Sequence, residues 1–313
     1  MAEPHRQPPN DGVRLSVIVA SVDVSRSIDE CLRRVRQSCA PFDAEIIVVD
    51  ASSGGEAAAI ARAADGVAVV ELRPGTLVPV LWAEGYRRSC GRLVAFTLGQ
   101  CLVSQEWASA LVEALEQGAA GAGGPLVMAS GGRPLDWAIF YLRYSAFSPD
   151  AFGSGRTEGE IAGDNAAYRR EILDRHAATF GEGFWEVDFH RRVRAGGGWL
   201  AAVPRALVEF AGLSRASTIV GQRFAHGRHS GASRARTHWR IRLIIAAPLV
   251  PFVLAMRAAA RIRRREDRWR FLAALPWFLV LASVWAFGEA CGALTGSSIQ
   301  AAHGATPAAH GEG

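Results

Sequence analysis

The chain has 313 residues, 50% of them hydrophobic and 21% charged, with mean hydropathy +0.10 and a formal charge of +5. These figures exclude a disordered chain and a small disulfide scaffold, and they allow one large domain or two. Five cysteines, odd in number and without a CxxC pair, argue against a disulfide framework or a zinc site and fit reduced thiols in a cytosolic head.

Residues 1–12 form a polar, proline-containing leader, expected to be disordered, without the apolar stretch of a cleavable signal peptide. The head is therefore expected to stay on the side of synthesis. The chain then reads strand, helix, strand, loop: LSVIVA at 15–20, then Ile28, Cys31, Leu32 and Val35 at helical spacing, EIIVV at 45–49 and ASSGG. An Ala-rich helix over 56–64, a strand over 67–72, a helix over 77–89 and the strand LVAFT at 93–97 continue the alternation. That order predicts a parallel sheet.

Residues 107–115 predict an amphipathic helix and 119–128 a glycine-rich strand region. An aromatic cluster over 133–150 (Trp137, Phe140, Tyr141, Tyr144, Phe147) reads either as a helix packed on the sheet or as an interfacial element. Residues 153–160 read as a mobile loop and GDNAAYRREIL (163–173) as a turn entering a helix. Residues 180–200 predict an acidic turn, a helix and a Gly-rich stop before a last strand.

In open α/β sheets ligands sit beyond the carboxyl ends of the strands. Here those positions are 21–23, 50–53 and 98–101. Asp50 can accept hydrogen bonds from a ribose or base, or it can form a cap or turn beside its small neighbours; both readings stay open. Neither GxGxxG nor GxxxxGK[ST] occurs, so the dinucleotide fingerprint and the P-loop are not supported.

Taken in order, LSVIVA, EIIVVDASSGG, the spacing of Gly85 and Gly91 before LVAFT, the helix opening at Glu106-Trp107, GDNAAYRRE and WEVDFHRRVRAGG resemble the family 2 glycosyltransferases. GQRFAHGR (221–228) is similar to the region that closes over donor and acceptor in that family, and FGEACGALTG (287–296) to the tail helix of its membrane-bound members. The resemblance covers about 15–296. It implies a GT-A-like nucleotide-binding domain over 13–238, α/β with a mostly parallel central sheet flanked by helices, and a nucleotide-sugar donor.

The resemblance also implies roles. Asp50 matches the contact to the donor's base or ribose, with Ser21, Asp23 and Gln100 lining the nucleotide sugar, and Asp164 and Asn165 lie in the turn facing donor sugar and acceptor. Glu186 falls where the family usually has its catalytic aspartate, with Asp188 two residues on. A carboxylate there takes the proton from an acceptor hydroxyl as it attacks the anomeric carbon. The plain alternative for both residues is favourable charge at a helix N-terminus.

The clearest departure is at the Asp-x-Asp that holds Mg²⁺ or Mn²⁺ in the family, which here reads Leu98-Gly99-Gln100. Leu98 supplies no ligand and Gln100 one neutral carbonyl, so the usual ligands of a divalent cation are missing. Three outcomes follow. Cationic groups near Gln222, namely Arg223, His226 and Arg228, stabilise the diphosphate; other carboxylates hold a metal; or the head is a catalytically silent binding or assembly module. The Arg/His cluster reads equally as a lipid-facing basic surface.

All 35 basic residues are arginine, which fits codon bias. From Arg223 to Arg270 stand 13 arginines against Glu266 and Asp267, a local +11 that leaves −6 for the rest of the +5 chain. Beside apolar runs, such a block points to anionic lipids and not to nucleic acid. The run 243–256, with Pro248 and Pro251, is about 21 Å as helix, short of a hydrocarbon core of roughly 30 Å, and predicts an interfacial or re-entrant helix. The run 271–288, extending to Leu294 if Glu289 is tolerated, predicts a crossing, and the arginines between the runs prefer the cytoplasmic face. The expectation is a membrane-associated helical tail over 239–295, one or two helices, then a disordered end over 296–313. The whole reads as a membrane-attached transferase, its head on the cytoplasmic face, acting on a lipid-linked or envelope glycan acceptor.

Overall fold

The computed structural model describes residues 14–212, 215–235 and 240–296; the expected leader, most of the expected disordered end and the boundary at 238 lie outside them. The first half alternates as expected: β1 (Leu15–Ser21), α1 (Ile28–Cys39), β2 (Ala44–Asp50), α2 (Glu56–Ala63), β3 (Val67–Glu71), α3 (Val78–Arg88) and β4 (Leu93–Leu98). All four strands pair in parallel, in the order β3-β2-β1-β4. β1 is buried at every position, which is why LSVIVAS is apolar on both faces. The Gly85 and Gly91 spacing has a packing cause: a Cβ on Gly85 would stand 2.3 Å from Ile18 of β1, and one on Gly91 2.7 Å from the Ser16 backbone.

Then come β5 (Cys101–Val103), α4 (Trp107–Glu116), β6 (Gly121–Gly123), β7 (Leu126–Met128), α5 (Pro134–Tyr144), β8 (Gly155–Thr157), β9 (Asn165–Arg169), α6 (Arg170–His176), α7 (Glu186–Ala195), β10 (Leu200–Ala202) and β11 (Val208–Phe210). The main sheet has eight strands, continuing from β4 as β9-β6-β10-β8, and β5-β11-β7 form a second, small sheet. Two expectations change. GDNAAYRRE supplies the strand β9, antiparallel to both β4 and β6, before its helix begins. The segment read as a loop over 153–160 contributes β8, an edge strand paired antiparallel with β10. The aromatic cluster is α5, packed under the head's surface.

The tail consists of α8 (Ala216–Ala235), α9 (Arg240–Ala246), a 3-10 turn (Ala247–Leu249), α10 (Val250–Arg261) and α11 (Arg265–Thr295). Pro248 and Pro251 fall in first turns, where a missing N–H costs no helical bond, so Ile241–Arg261 forms 21 helical residues instead of the 14 expected. Both apolar helices are long enough to cross a membrane by length and composition.

The turn between α10 and α11 rests on the head, with Arg261 donating to Ser145 at 3.3 Å and Arg264 pairing with Asp150 at 3.3 Å. α11 then runs along the head. Phe271, Ala274 and Phe278 are buried, with Phe271 against Tyr141 of α5, and further along Gly288 and Gly292 are buried against α8. A Cβ on Gly227, Gly231, Gly288 or Gly292 would stand 2.1, 2.0, 2.3 or 1.9 Å from a carbonyl oxygen of the facing helix, so two Gly-x3-Gly faces bring the backbones into contact. Glu289 is buried in this seam and accepts from Ser230 at 3.0 Å and Arg234 at 2.7 Å, which makes it a packing carboxylate. The outward face of α11 carries exposed Leu272, Trp277, Val280, Phe287 and Leu294.

Candidate active site

A cleft lies over the carboxyl ends of β1, β2 and β4, bounded by the first half of α8. Its first recess, about 510 Å³, lies among Asp23, Ser52, Glu56, Arg133 and Arg215. A narrow middle recess of about 30 Å³ shares Asp23 and Arg215 with it and adds Leu98, Gln100 and Arg143. The third, about 200 Å³, shares Arg143, Ile219 and Gln222 with the middle one and contains Asp164, Glu186, Arg223 and His226.

At the first recess the two expected aspartates divide their work. Asp50 is 2% exposed and accepts from the hydroxyls of Ser21 and Ser52, so it builds the turn. Asp23 faces the recess from a left-handed backbone, φ +52°, steadied by Ser53 N–H at 3.2 Å and Thr218 Oγ1 at 2.7 Å. Burial pushes its carboxyl upward, but Thr218, Ser53 and Arg215 outweigh this and hold it below the usual range.

In the middle, Leu98 is buried and Gln100 donates to the Gly212 carbonyl at 3.0 Å. Arg143 of α5 donates to Asp164 at 2.6 Å, and the Tyr144 hydroxyl donates to the same oxygen. Burial disfavours the Arg143 charge, yet Asp164 beside it prevails and keeps the guanidinium more firmly protonated than usual. Asn165 departs from its expected place: fully buried, it accepts from Trp107 at 2.7 Å and donates to Pro125 and Ala206 carbonyls at 3.1 and 2.8 Å. It pins β9 and does not face the cleft.

Glu186 opens α7 at the third recess. The turn before it is fixed by Gly183, at φ +113°, and by the Phe184 N–H donating to the Pro79 carbonyl at 2.7 Å. From beneath, buried His190 bonds Tyr168 at 2.7 Å and also Glu160, which Arg194 joins at 2.8 Å. Burial, reinforced by nearby Asp164, pushes the Glu186 carboxyl up to about 7. Across the recess, Arg223 has a buried Nε with no acceptor among the described residues, and its guanidinium carbon lies 6.0 Å from the Trp285 ring centroid of α11. Burial and then repulsion from Arg143 lower it to about 9. His226, half-buried beside Arg223 and Arg143, is lowered by desolvation and their charge to about 3 and is neutral.

Two expected residues lie elsewhere. Asp188 is exposed on the outer face of α7, paired with Arg191 at 2.9 Å, because two residues along a helix turn a side chain away from its neighbour's face. Arg228 sits on the α8 face whose backbone meets Gly288 and Gly292, whereas Gln222, Arg223 and His226 share the face toward the recess.

The profile of the glycosyl transferase family 2 matches residues 16–177, more than half of the chain. The chain belongs to glycosyltransferase family 2. Among solved structures, this glycosyltransferase is similar to the mannosyltransferase PcManGT of Pyrobaculum calidifontis in complex with GDP-Man and Mn²⁺, at 20% identity and TM-score 0.47 over 96% of this chain and 78% of that one. It is also similar to S. aureus TarS 1–349, at 13% identity and TM-score 0.48 over 86% and 90% of the two chains. A third likeness, at 20% identity and TM-score 0.45 over 68% and 77%, is to glucosyl-3-phosphoglycerate synthase of Mycobacterium tuberculosis. Among curated proteins no significant match is found.

The glycosyltransferase does not present the donor set of a divalent-cation site at the end of β4. Leu98 is apolar and buried, the Gln100 amide is turned to a backbone carbonyl, and among the described residues no group of three His, Cys, Asp or Glu side chains is placed to hold a metal. Arg143 lines the same narrow recess as Gln100. Sequence reasoning passed over Arg143, Arg215 and Trp285. The available signal for Arg143 was a lone cation within the aromatic run FYLRYSAF.

Proposed function

We propose that this glycosyltransferase moves a sugar from a nucleotide-sugar donor to a hydroxyl of a lipid-linked or envelope glycan acceptor, at the cytoplasmic face of a membrane and without a divalent cation. The observation that carries the reading is Glu186: a carboxyl raised to about 7, in the same recess as Arg143 and Arg223. The nucleoside lies in the large recess by Asp23, the diphosphate in the narrow one, and the sugar and acceptor in the third. Glu186, ionised above neutrality, takes the acceptor's proton; such help is worth roughly 10²–10⁴-fold.

The membrane reading rests on α11. From Phe271 to Ala293, about 33 Å of helix, one face is buried on the head and on polar α8 while the other is apolar and exposed. A bilayer surrounding such a helix would have to displace the head, so we read α11 as lying in the membrane plane, its outer stripe in the lipid and the arginine turn at anionic headgroups. This differs from the crossing expected of an isolated apolar run.

The test is a panel of UDP- and GDP-sugars incubated with the full chain in lipid, with and without a membrane glycolipid extract. Acceptor-dependent release of nucleoside diphosphate in EDTA supports the reading; nucleotide binding with no release from any donor supports a silent binding module instead.

A further inference from the structure

We propose that Arg143 is the cation of the diphosphate subsite, standing where the family's acidic pair would hold a metal and stabilising charge on the departing nucleoside diphosphate. The proposal rests on the glycosyl-transfer reading above. Arg143 lines both the narrow recess with Leu98 and Gln100 and the third recess with Glu186. It therefore stands at the seam between the nucleotide's end of the cleft and the base, where the bond to be broken must lie.

The guanidinium is prepared for this place. Of its five N–H donors, one bonds Asp164 at 2.6 Å, and among the described residues no other hydrogen bond from Arg143 is formed. Asp164 is 5% exposed and also takes the Tyr144 hydroxyl, so it orients Arg143 and is not open to an acceptor sugar. Arg215 borders the narrow recess, and Arg223, with its unmatched Nε, borders the third. The N-terminal turn of α8 opens on the same narrow recess through Thr218, adding the favourable end of a helix dipole. A metal held by two carboxylates is likewise neutral in sum yet polarises a phosphate, so the Asp164 partner does not disqualify Arg143.

In the transfer, the acceptor oxygen bonds to the anomeric carbon and the bond from that carbon to the β-phosphate oxygen breaks. The electron pair of the broken bond stays on the diphosphate, and the acceptor proton passes to Glu186. Arg143 donates to the diphosphate oxygens as they gain charge.

The experiment is calorimetry on the full chain in lipid nanodiscs with UDP and GDP, each compared with UMP and GMP, in EDTA and in Mn²⁺. We expect diphosphate affinity to agree within about two-fold in the two conditions. The double variant Arg143→Met/Asp164→Asn, which leaves neither charge unpaired, should weaken diphosphate binding roughly ten-fold or more and leave monophosphate binding intact, which also reports that it folds. Tightening by Mn²⁺, undiminished diphosphate binding by the variant, or equal loss of mono- and diphosphate overturns the assignment while the glycosyl-transfer reading stands. If no nucleotide binds the unaltered chain, that reading fails and the assignment with it.

Discussion

The carboxyl carbon of Glu186 lies 3.3 Å from the point where a Cβ on Gly163 would stand, and the Trp82 ring lies 3.0 Å from it. Gly163 thus sets how closely the GDN turn approaches the base. Gly163→Ala should push Glu186 or Trp82 by a few tenths of an ångström and lower turnover roughly ten-fold or more, since small displacements of a reacting group are costly. Nucleoside diphosphate affinity should hold. Steady-state kinetics beside calorimetry checks this, and unchanged turnover would mean that Glu186 is not confined there.

The raised Glu186 carboxyl makes a two-part pH prediction. Its ordinary value is 4.5 and its folded value about 7, so between these the folded chain keeps a proton that the unfolded chain has released. Stability from this group is complete below 4.5 and is lost as pH rises through 7. Glu186→Gln should therefore melt higher than the unaltered protein at pH 8, with the difference shrinking towards pH 4.5. Turnover of the unaltered protein should rise with pH, with a midpoint near 7.

The seam between α8 and α11 ties the apolar-faced helix to the cleft, because Arg223, which lines the cleft with His226, stands one turn before Gly227 and lies beside Trp285 of α11. Gly292→Val should force the backbones apart at a cost of roughly 1–3 kcal/mol. Thermal melts should show that loss, and turnover should fall with it as Arg223 leaves the Trp285 ring. Leu294→Ala, on the exposed face, should change neither stability nor turnover in detergent.

The proposed membrane attachment predicts a separable phenotype. Replacing Leu272, Val280 and Leu294 together with Glu should weaken flotation with vesicles and leave the melting temperature in detergent nearly unchanged, since all three are exposed. Binding of the unaltered chain should be stronger to vesicles containing phosphatidylglycerol than to neutral ones, and the excess should disappear in high salt.

Much of the head was readable because its pattern is local: β1 to β4 are short apolar runs with helical periods between them. β9 was not, because NAAYR is small and mixed, and it becomes a strand only between β4 and β6. At the candidate site, motif order pointed to Glu186, Arg223 and His226, which line one recess. Asp50 and Asp23 could not be told apart by sequence, since which one is covered depends on Ser21 and Ser52 closing over it. Arg143 comes from α5, about forty residues from Glu186 and Leu98 alike, and only the packing of α5 beneath the cleft brings it there. The tail's composition suggested a crossing, while α11 is held to the head by Phe271 on Tyr141, 130 residues away, and to α8 by glycines whose partners lie about sixty residues away.

The central claim is that Glu186 is the base of a nucleotide-sugar transferase and that Asp188 is not. It is tested most directly by nucleoside diphosphate release from the preferred donor by Glu186→Gln and Asp188→Asn proteins in lipid. The account predicts a loss of roughly 10²–10⁴-fold for Glu186→Gln with donor affinity retained, and unaltered rates for Asp188→Asn. Near-normal release by Glu186→Gln, or a comparable loss in Asp188→Asn, would contradict it.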